Sequence, residues 1–306
     1  MKKIIIISGP TAVGKTNISI NLAKRINGEI ISADSMQVYK GMDIGSAKIT
    51  KEEMCGIEHH LIDILEPHEN FDVSIFQKLA KDAIEEIASR GKVPIIVGGT
   101  AFYIQALLYG IDFTEENHDT SFREYLNGKS EDELYDCLKR VDPEYAVTTH
   151  KNNKKRVVRA LEYNHFTGKK FSDYNKEQAN REAQYLYKYF VLDDERELIY
   201  SNINKRVDIM INQGLLKEIR RLEELNLPDN CNSKQGIGYK EMYMYLRGEC
   251  TLEDAVELIK KNTRHFAKRQ LTWLRHEDDT IFINKSKYQH NDDEIISFMI
   301  KEYESL

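Results

Sequence analysis

Residues 9–16 read Gly9-Pro10-Thr11-Ala12-Val13-Gly14-Lys15-Thr16, a spacing of glycines, lysine and threonine that suits phosphate chemistry. In such a loop the backbone N–H groups and the start of the following helix point into one concavity that takes phosphate oxygens. Lys15 adds a positive charge, and the Thr16 hydroxyl suits Mg2+. The motif does not separate ATP from any other diphosphate. A nucleotide hydrolase usually ends a later apolar strand on an Asp for Mg2+. Here Val93, Pro94, Ile95, Ile96 and Val97 run into Gly98, Gly99 and Thr100, which weakens the kinase and ATPase readings. The second reactive group is Asp34, which follows the β-rich run 29–32. A carboxylate there can accept a proton or a hydrogen bond from an incoming nucleophile. It can equally be a helix N-cap.

The elements that must hold these groups alternate. Lys3–Ser8 is a β-branched run ending at a glycine, and Ile18, Leu22 and Ile26 follow at helical spacing. Residues 29–32 and 93–97 read as further strands, with Phe76, Leu79, Ala83 and Ile87 as a helical face between them. This rhythm predicts an α/β fold with a P-loop NTPase-like parallel sheet and helices on both faces. It stops near residue 112, and residues 121–176 show helical patterns without a strand signal. Residues 187–192 and 280–283 read as strands that return to the sheet. The domains expected are residues 1–117 as the first part of the core, 118–184 as a helical insertion and 185–306 as the completion of the core. Thr251 and Asp254 form a capping box that opens a long helix reaching about His276. His59 and His60, adjacent in a strand, face opposite ways and read as structural rather than as a metal pair. Trp273, on the basic helix, could stack a base, but core packing is the favoured reading.

The chain has 306 residues, 41% hydrophobic and 31% charged, enough for a sizeable core. Its apolar runs are too short for a membrane span or a signal peptide. The four cysteines, Cys55, Cys137, Cys231 and Cys250, are widely spaced, which suits reduced thiols inside a cell. A formal charge of −6 argues against a polyanion ligand only as a global number. Locally, Lys151, Lys154, Lys155, Arg156, Arg159, Lys169 and Lys170 cluster against Glu162 alone, and residues 260–275 contain no acid. Lys261, Arg264, His265, Lys268 and Arg275 fall together on one face of the long helix. That face is either merely solvated or a polyanion contact.

Taken in order, these segments resemble the tRNA dimethylallyltransferases, also called tRNA isopentenyltransferases. The marks are GPTAVGKT at 9–16, SADSMQVYKGMDIGSAK at 32–48, HHLID at 59–63, IIVGGT at 95–100, DPEYA at 142–146, KRVVRALE at 155–162, QGIGYKE at 235–241 and AKRQLTW at 267–273. The P-loop is common to many families, whereas the later motifs in this order are specific. Ala101 and Ser46 depart from the usual glycine and threonine, and Lys151 and Asn153 from the usual proline and aspartate. All four are peripheral to the chemistry.

The resemblance implies transfer of a dimethylallyl group from dimethylallyl diphosphate to N6 of the adenosine immediately 3′ of the anticodon, in tRNAs reading codons that begin with U. The base would be flipped out of the anticodon loop, as enzymes acting on bases generally require. It further implies that Asp34 accepts from the N6 amine, and that Gly9, Pro10, Thr11, Ala12, Val13, Gly14, Lys15 and Thr16 hold the diphosphate with Mg2+. Thr100 and Arg123 would bind phosphate oxygens at the donor end. Asp34, Ser35, Met36 and Gln37 would meet the base and its neighbours. Lys155, Arg156, Val157, Val158 and Arg159, with Gln235, Gly236, Ile237, Gly238, Tyr239 and Lys240, would grip the anticodon stem-loop, and Arg264 and Lys268 join them from the basic helix. A cytoplasmic monomer without a membrane segment is expected. Two other readings use the same core. A nucleotide kinase, or a prenyltransferase acting on free adenine nucleotides, leaves the insertion and basic helix without a purpose. An ATP-switched RNA-binding protein requires tRNA-stimulated ATP hydrolysis and has no need of Asp34.

Overall fold

The computed structural model describes residues 1–113, 120–229 and 231–306; the boundary expected at residues 117–118 lies outside them. Six strands form one sheet: β1 (Lys3–Ser8), β2 (Gly28–Ser32), β3 (His59–His60), β4 (Val93–Val97), β5 (Leu186–Asp193) and β6 (Thr280–Asn284). Their order is β3-β2-β4-β1-β5-β6, and every pairing is parallel. A parallel sheet is covered on both faces, so its central strands are apolar throughout rather than alternating. Ile4 to Ile7 of β1 are accordingly all buried.

Helices α1 (Lys15–Ile26), α2 (Val73–Ser89) and α3 (Ala101–Tyr109) follow β1, β3 and β4. The sheet's return through β5 is followed by α9 (Arg196–Gln213) and α10 (Leu215–Glu224), then α11 (Tyr239–Leu246), α12 (Leu252–Leu274) and α13 (Asp292–Glu304), the intervening helix numbers belonging to the segment between α3 and β5. One face of the sheet packs Ile5, Ile7, Ile95 and Phe190 against Ile18 and Leu22 of α1 and Ile295, Ile296 and Met299 of α13. By strand alternation Ile4 and Ile6 face the other way, and α2 packs on β2 and β4. Asp72 caps α2 by accepting the N–H groups of Ser74 and Ile75. Gly214, at φ 100°, separates α9 from α10. The capping box of Thr251 and Asp254 opens α12. His60 bonds the buried Glu29 through Nε2 at 2.8 Å, and His59 reaches the Ile57 carbonyl. Among the described residues no helix is long and apolar enough to cross a membrane.

The chain divides into two compact units, one of residues 1–108 and 185–306, the other Tyr109–Gln184. The second unit is built from α4 (Thr120–Asn127), α5 (Glu131–Val141), α6 (Pro143–Thr148), α7 (Lys154–Thr167) and α8 (Phe171–Ala179), with no strand among its described residues. Leu134, Leu138, Val157, Val158, Leu161 and Phe171 form its own core. The buried Asp142 carboxylate caps α6 through Tyr145 N–H and also accepts both the N–H and the hydroxyl of Ser172 at the start of α8. That single side chain ties two helices, which is how short helices of modest intrinsic stability hold together.

Candidate active site

β1 delivers the chain into residues 9–16 at the C-terminal edge of the sheet, where ligands of open α/β folds bind. Gly9, Ala12 and Gly14 take φ values of 141°, 65° and 97°. Such left-handed steps turn successive N–H groups toward one point. Alanine in that region is strained by roughly 1–2 kcal/mol, a cost concentrated at functional loops. Lys15 bends back so that Nζ donates to the carbonyls of Gly9 and Pro10, each at 2.9 Å. Burial, with help from the nearby Arg206 guanidinium and against the opposing pull of Asp34, depresses the Lys15 ammonium to about 7. Thr16 is exposed at the first turn of α1.

Beside this loop opens a cavity of about 660 Å³, lined among others by Thr11, Asp34, Thr100, Tyr103, Arg206 and Gln270. Asp34 stands half-buried after β2. Its Oδ1 accepts the N–H of Met36 at 2.8 Å and of Gln37 at 3.2 Å. These are cap-like bonds, yet a turn and no helix follows, so the N-cap reading is correct in its bonds and wrong in its element. The carboxylate also acts electrostatically on both Lys15 and Arg206. Ser35, Met36, Gly236, Ile237 and Gly238 line the same cavity, and so does Lys240. Gln37 holds the neighbouring loop by donating to the Ser46 and Ala47 carbonyls. Gln235 lines the cavity too and donates to the Asp229 carbonyl.

Three side chains that shape this region escaped sequence reasoning, and all are polar residues set into apolar helical faces. Arg206 lies among Ile199, Ile203, Val207 and Met210 of α9, and Nη1 reaches Thr11 Oγ1 at 3.4 Å. Gln270 lies between Ala267 and Leu274 of α12 and is buried. Glu218 lies beside Leu215, Ile219 and Leu222 of α10 and is 1% exposed. Its oxygens accept the N–H groups of Asp43, Ile44 and Gly45 at 2.8–3.0 Å and the Tyr239 hydroxyl at 2.9 Å. A buried carboxylate is tolerable only when so satisfied. Burial and the Glu218 charge together raise the Tyr239 phenol well above its ordinary value.

The remaining sequence-predicted residues fall in distinct places. Thr100 lines the cavity after β4, whereas Arg123 lies on α4 of the second unit, where Nε and Nη2 fork onto Glu162 at 2.7 and 2.8 Å. On α7, Lys155 and Arg156 are exposed and Arg159 is half-buried. Val157 and Val158 are buried in that unit's core, so their side chains cannot grip RNA. Tyr239 is likewise unable to, being fully buried on Glu218. Arg264 is half-buried and donates to Asn204 Oδ1 at 2.6 Å, while Lys268 is exposed. Trp273 corrects the sequence expectation: it is 38% exposed, with its indole N–H on Glu277 at 2.6 Å and its ring edge-on to Phe102. An amphiphilic ring with a partner for its N–H is stable at a surface. It lines a second cavity with His265, Lys268 and His276.

Comparison with known proteins identifies the family. The family model described as IPP transferase matches residues 37–277. The chain is 54% identical over 305 residues to a tRNA dimethylallyltransferase of Lachnoclostridium phytofermentans, covering 98% of this chain and 97% of that one. A protein of the same name from Anoxybacillus flavithermus is 52% identical over 290 residues, covering 92% and 93%. A full-length tRNA isopentenylpyrophosphate transferase of Bacillus halodurans superposes with a TM-score of 0.76 at 43% identity, over 100% of this chain and 98% of that one. A eukaryotic dimethylallyltransferase acting on tRNA gives 0.82 at 35% identity, over 93% and 74%. With a model match over most of its length and relatives above half identity, the chain belongs to the IPP transferase family, the tRNA dimethylallyltransferases.

Proposed function

We propose that this chain transfers a dimethylallyl group from dimethylallyl diphosphate to N6 of the adenosine immediately 3′ of the anticodon, in tRNAs reading codons that begin with U, and releases diphosphate. The observation that carries this reading is Asp34. It lines one cavity with Thr11 of the phosphate loop and with Arg206, its charge acts on both Lys15 and Arg206, and the 35–37 turn hangs from its own Oδ1. Donor and acceptor can therefore meet at one carboxylate.

In this scheme the N–H groups of residues 12–16, Lys15 and Arg206 hold the donor's diphosphate. As the C1–O bond breaks, those charges stabilise the departing anion in a site shielded from water. The N6 lone pair forms the new C–N bond, and its proton passes to Asp34. An exocyclic amine is a weak nucleophile, so orientation by the cavity walls supplies much of the rate. Mg2+ would be held by the Thr16 hydroxyl, a hard oxygen donor exposed beside the loop, and would add charge neutralisation on the diphosphate. Thr100, which lines the cavity, would add a hydroxyl to phosphate oxygens, and the family resemblance assigns a guanidinium from Arg123 to the same task. Lys155, Arg156, Lys240 and Lys268, all exposed, would contact the RNA backbone. We read the protein as a cytoplasmic monomer.

The test uses purified protein, Mg2+, radiolabelled dimethylallyl diphosphate and unmodified tRNA. Label entering the tRNA, and lost when the adenosine 3′ of the anticodon is replaced by guanosine, supports reaction and site together. Label on free AMP or ADP instead, with none in tRNA, replaces the reading with a small-molecule prenyltransferase.

A further inference from the structure

Gln270 is 6% exposed and sits on α12, far in sequence from the two loops it joins. Its Oε1 accepts the Thr11 N–H at 2.9 Å, and its Nε2 donates to the Gly99 carbonyl at 2.9 Å. Thr11 follows β1 and Gly99 follows β4, adjacent parallel strands whose C-terminal loops flank the crevice. A Cβ on Gly99 would collide with Gln270 Nε2, so a larger residue at this second glycine of Gly98-Gly99-Thr100 would displace the amide.

The peptide unit between Pro10 and Thr11 is rigid and trans, so its N–H and C=O point in opposite directions. Gln270 takes the N–H, and Lys15 Nζ donates to the Pro10 carbonyl at 2.9 Å on the other side. Fixing one end of a planar unit fixes the other. The Gln270 amide therefore sets the orientation of a carbonyl that holds the phosphate-loop lysine. We propose that Gln270 is a positioning residue for the donor site: through the Pro10–Thr11 peptide it holds Lys15 and the phosphate loop in the shape that receives a diphosphate. Its hydrogen bonds go to Thr11 and Gly99 rather than to the N–H groups of residues 12–16. This rests on the reading of residues 9–16 as the diphosphate site.

The experiment measures binding of inorganic pyrophosphate with Mg2+ to the full chain by calorimetry, beside binding of an anticodon stem-loop RNA and steady-state KM values for both substrates. Gln270→Met keeps side-chain length and removes both hydrogen bonds. It is expected to weaken pyrophosphate binding about ten-fold, the scale of one buried hydrogen-bonding group lost. KM for dimethylallyl diphosphate should rise by the same factor while RNA affinity and the KM for tRNA stay within two-fold. Gly99→Ala, which displaces the amide from the other side, should produce the same loss. Combining the two should cost no more than the larger single change, because they break one connection. Unchanged pyrophosphate binding in both variants overturns the proposal, as do additive losses or an equal loss of pyrophosphate and RNA affinity. Wild-type protein that binds no pyrophosphate overturns the donor-site reading beneath it, and that is seen before any variant is made.

Discussion

Two backbone loops border the same cavity, and they treat their N–H groups in opposite ways. In residues 9–16 the left-handed steps at Ala12 and Gly14 turn N–H groups toward a shared point, and the nearby side chains that meet the loop are cations and an amide. In residues 43–45 three consecutive N–H groups are already taken by the protein's own carboxylate, Glu218. In the proposed function the first loop would be completed by an anion from outside, whereas the second is completed by the Glu218 carboxylate of α10. The difference teaches where rigidity is intrinsic: the 43–45 loop is set before any ligand arrives, whereas the shape of the phosphate loop depends on side chains delivered by α1, α9 and α12.

The largest effect expected concerns the carboxylate that lies between these loops. Asp34→Asn keeps an oxygen for the Met36 and Gln37 N–H groups but cannot take the N6 proton. Turnover should fall by about 10²–10⁴, the usual weight of a general base, with tRNA affinity within a few-fold. An equal fall in affinity and turnover would assign Asp34 to binding instead. Next in size is Glu218→Gln, which presents amide hydrogens to backbone donors and leaves at least one buried N–H unsatisfied. A loss of about 1–3 kcal/mol in stability is expected, read in chemical denaturation, with RNA affinity reduced more than pyrophosphate affinity. The reverse order of affinities would mean that the 43–45 loop serves the donor end.

A smaller effect tests the lysine. Lys15 is held near 7 in the free protein, and a bound diphosphate must raise it, so binding above pH 7 takes up a proton at this residue. Calorimetry at pH 8 in buffers of different ionisation enthalpy should show greater proton uptake for wild type than for Lys15→Met. Equal uptake would remove the depressed lysine from the binding step. Smallest is Lys268→Ala, expected to lower the salt dependence of tRNA binding by about one unit of log–log slope. An unchanged slope returns the α12 face to simple solvation.

The sequence by itself determined the alternation of strands and helices, the phosphate loop, the position of Asp34 after β2, and the capping box of α12. These are local: β-branched runs, glycine conformations and N-cap bonds act within a few residues and can be read along the chain. What only the tertiary structure decided is which polar groups meet across large separations. Gln270 reaches Thr11 and Gly99, Arg206 reaches Thr11, and Glu218 caps the 43–45 loop, each through contacts more than a hundred residues apart. Each interrupts an apolar helical stripe, where burial without a partner would be costly, and the partner lies too far along the chain to be read from the sequence. The same reason, inverted, moved Val157, Val158 and Tyr239 out of reach of RNA and Trp273 to the surface: packing and hydrogen-bond satisfaction are settled by neighbours that only the fold supplies.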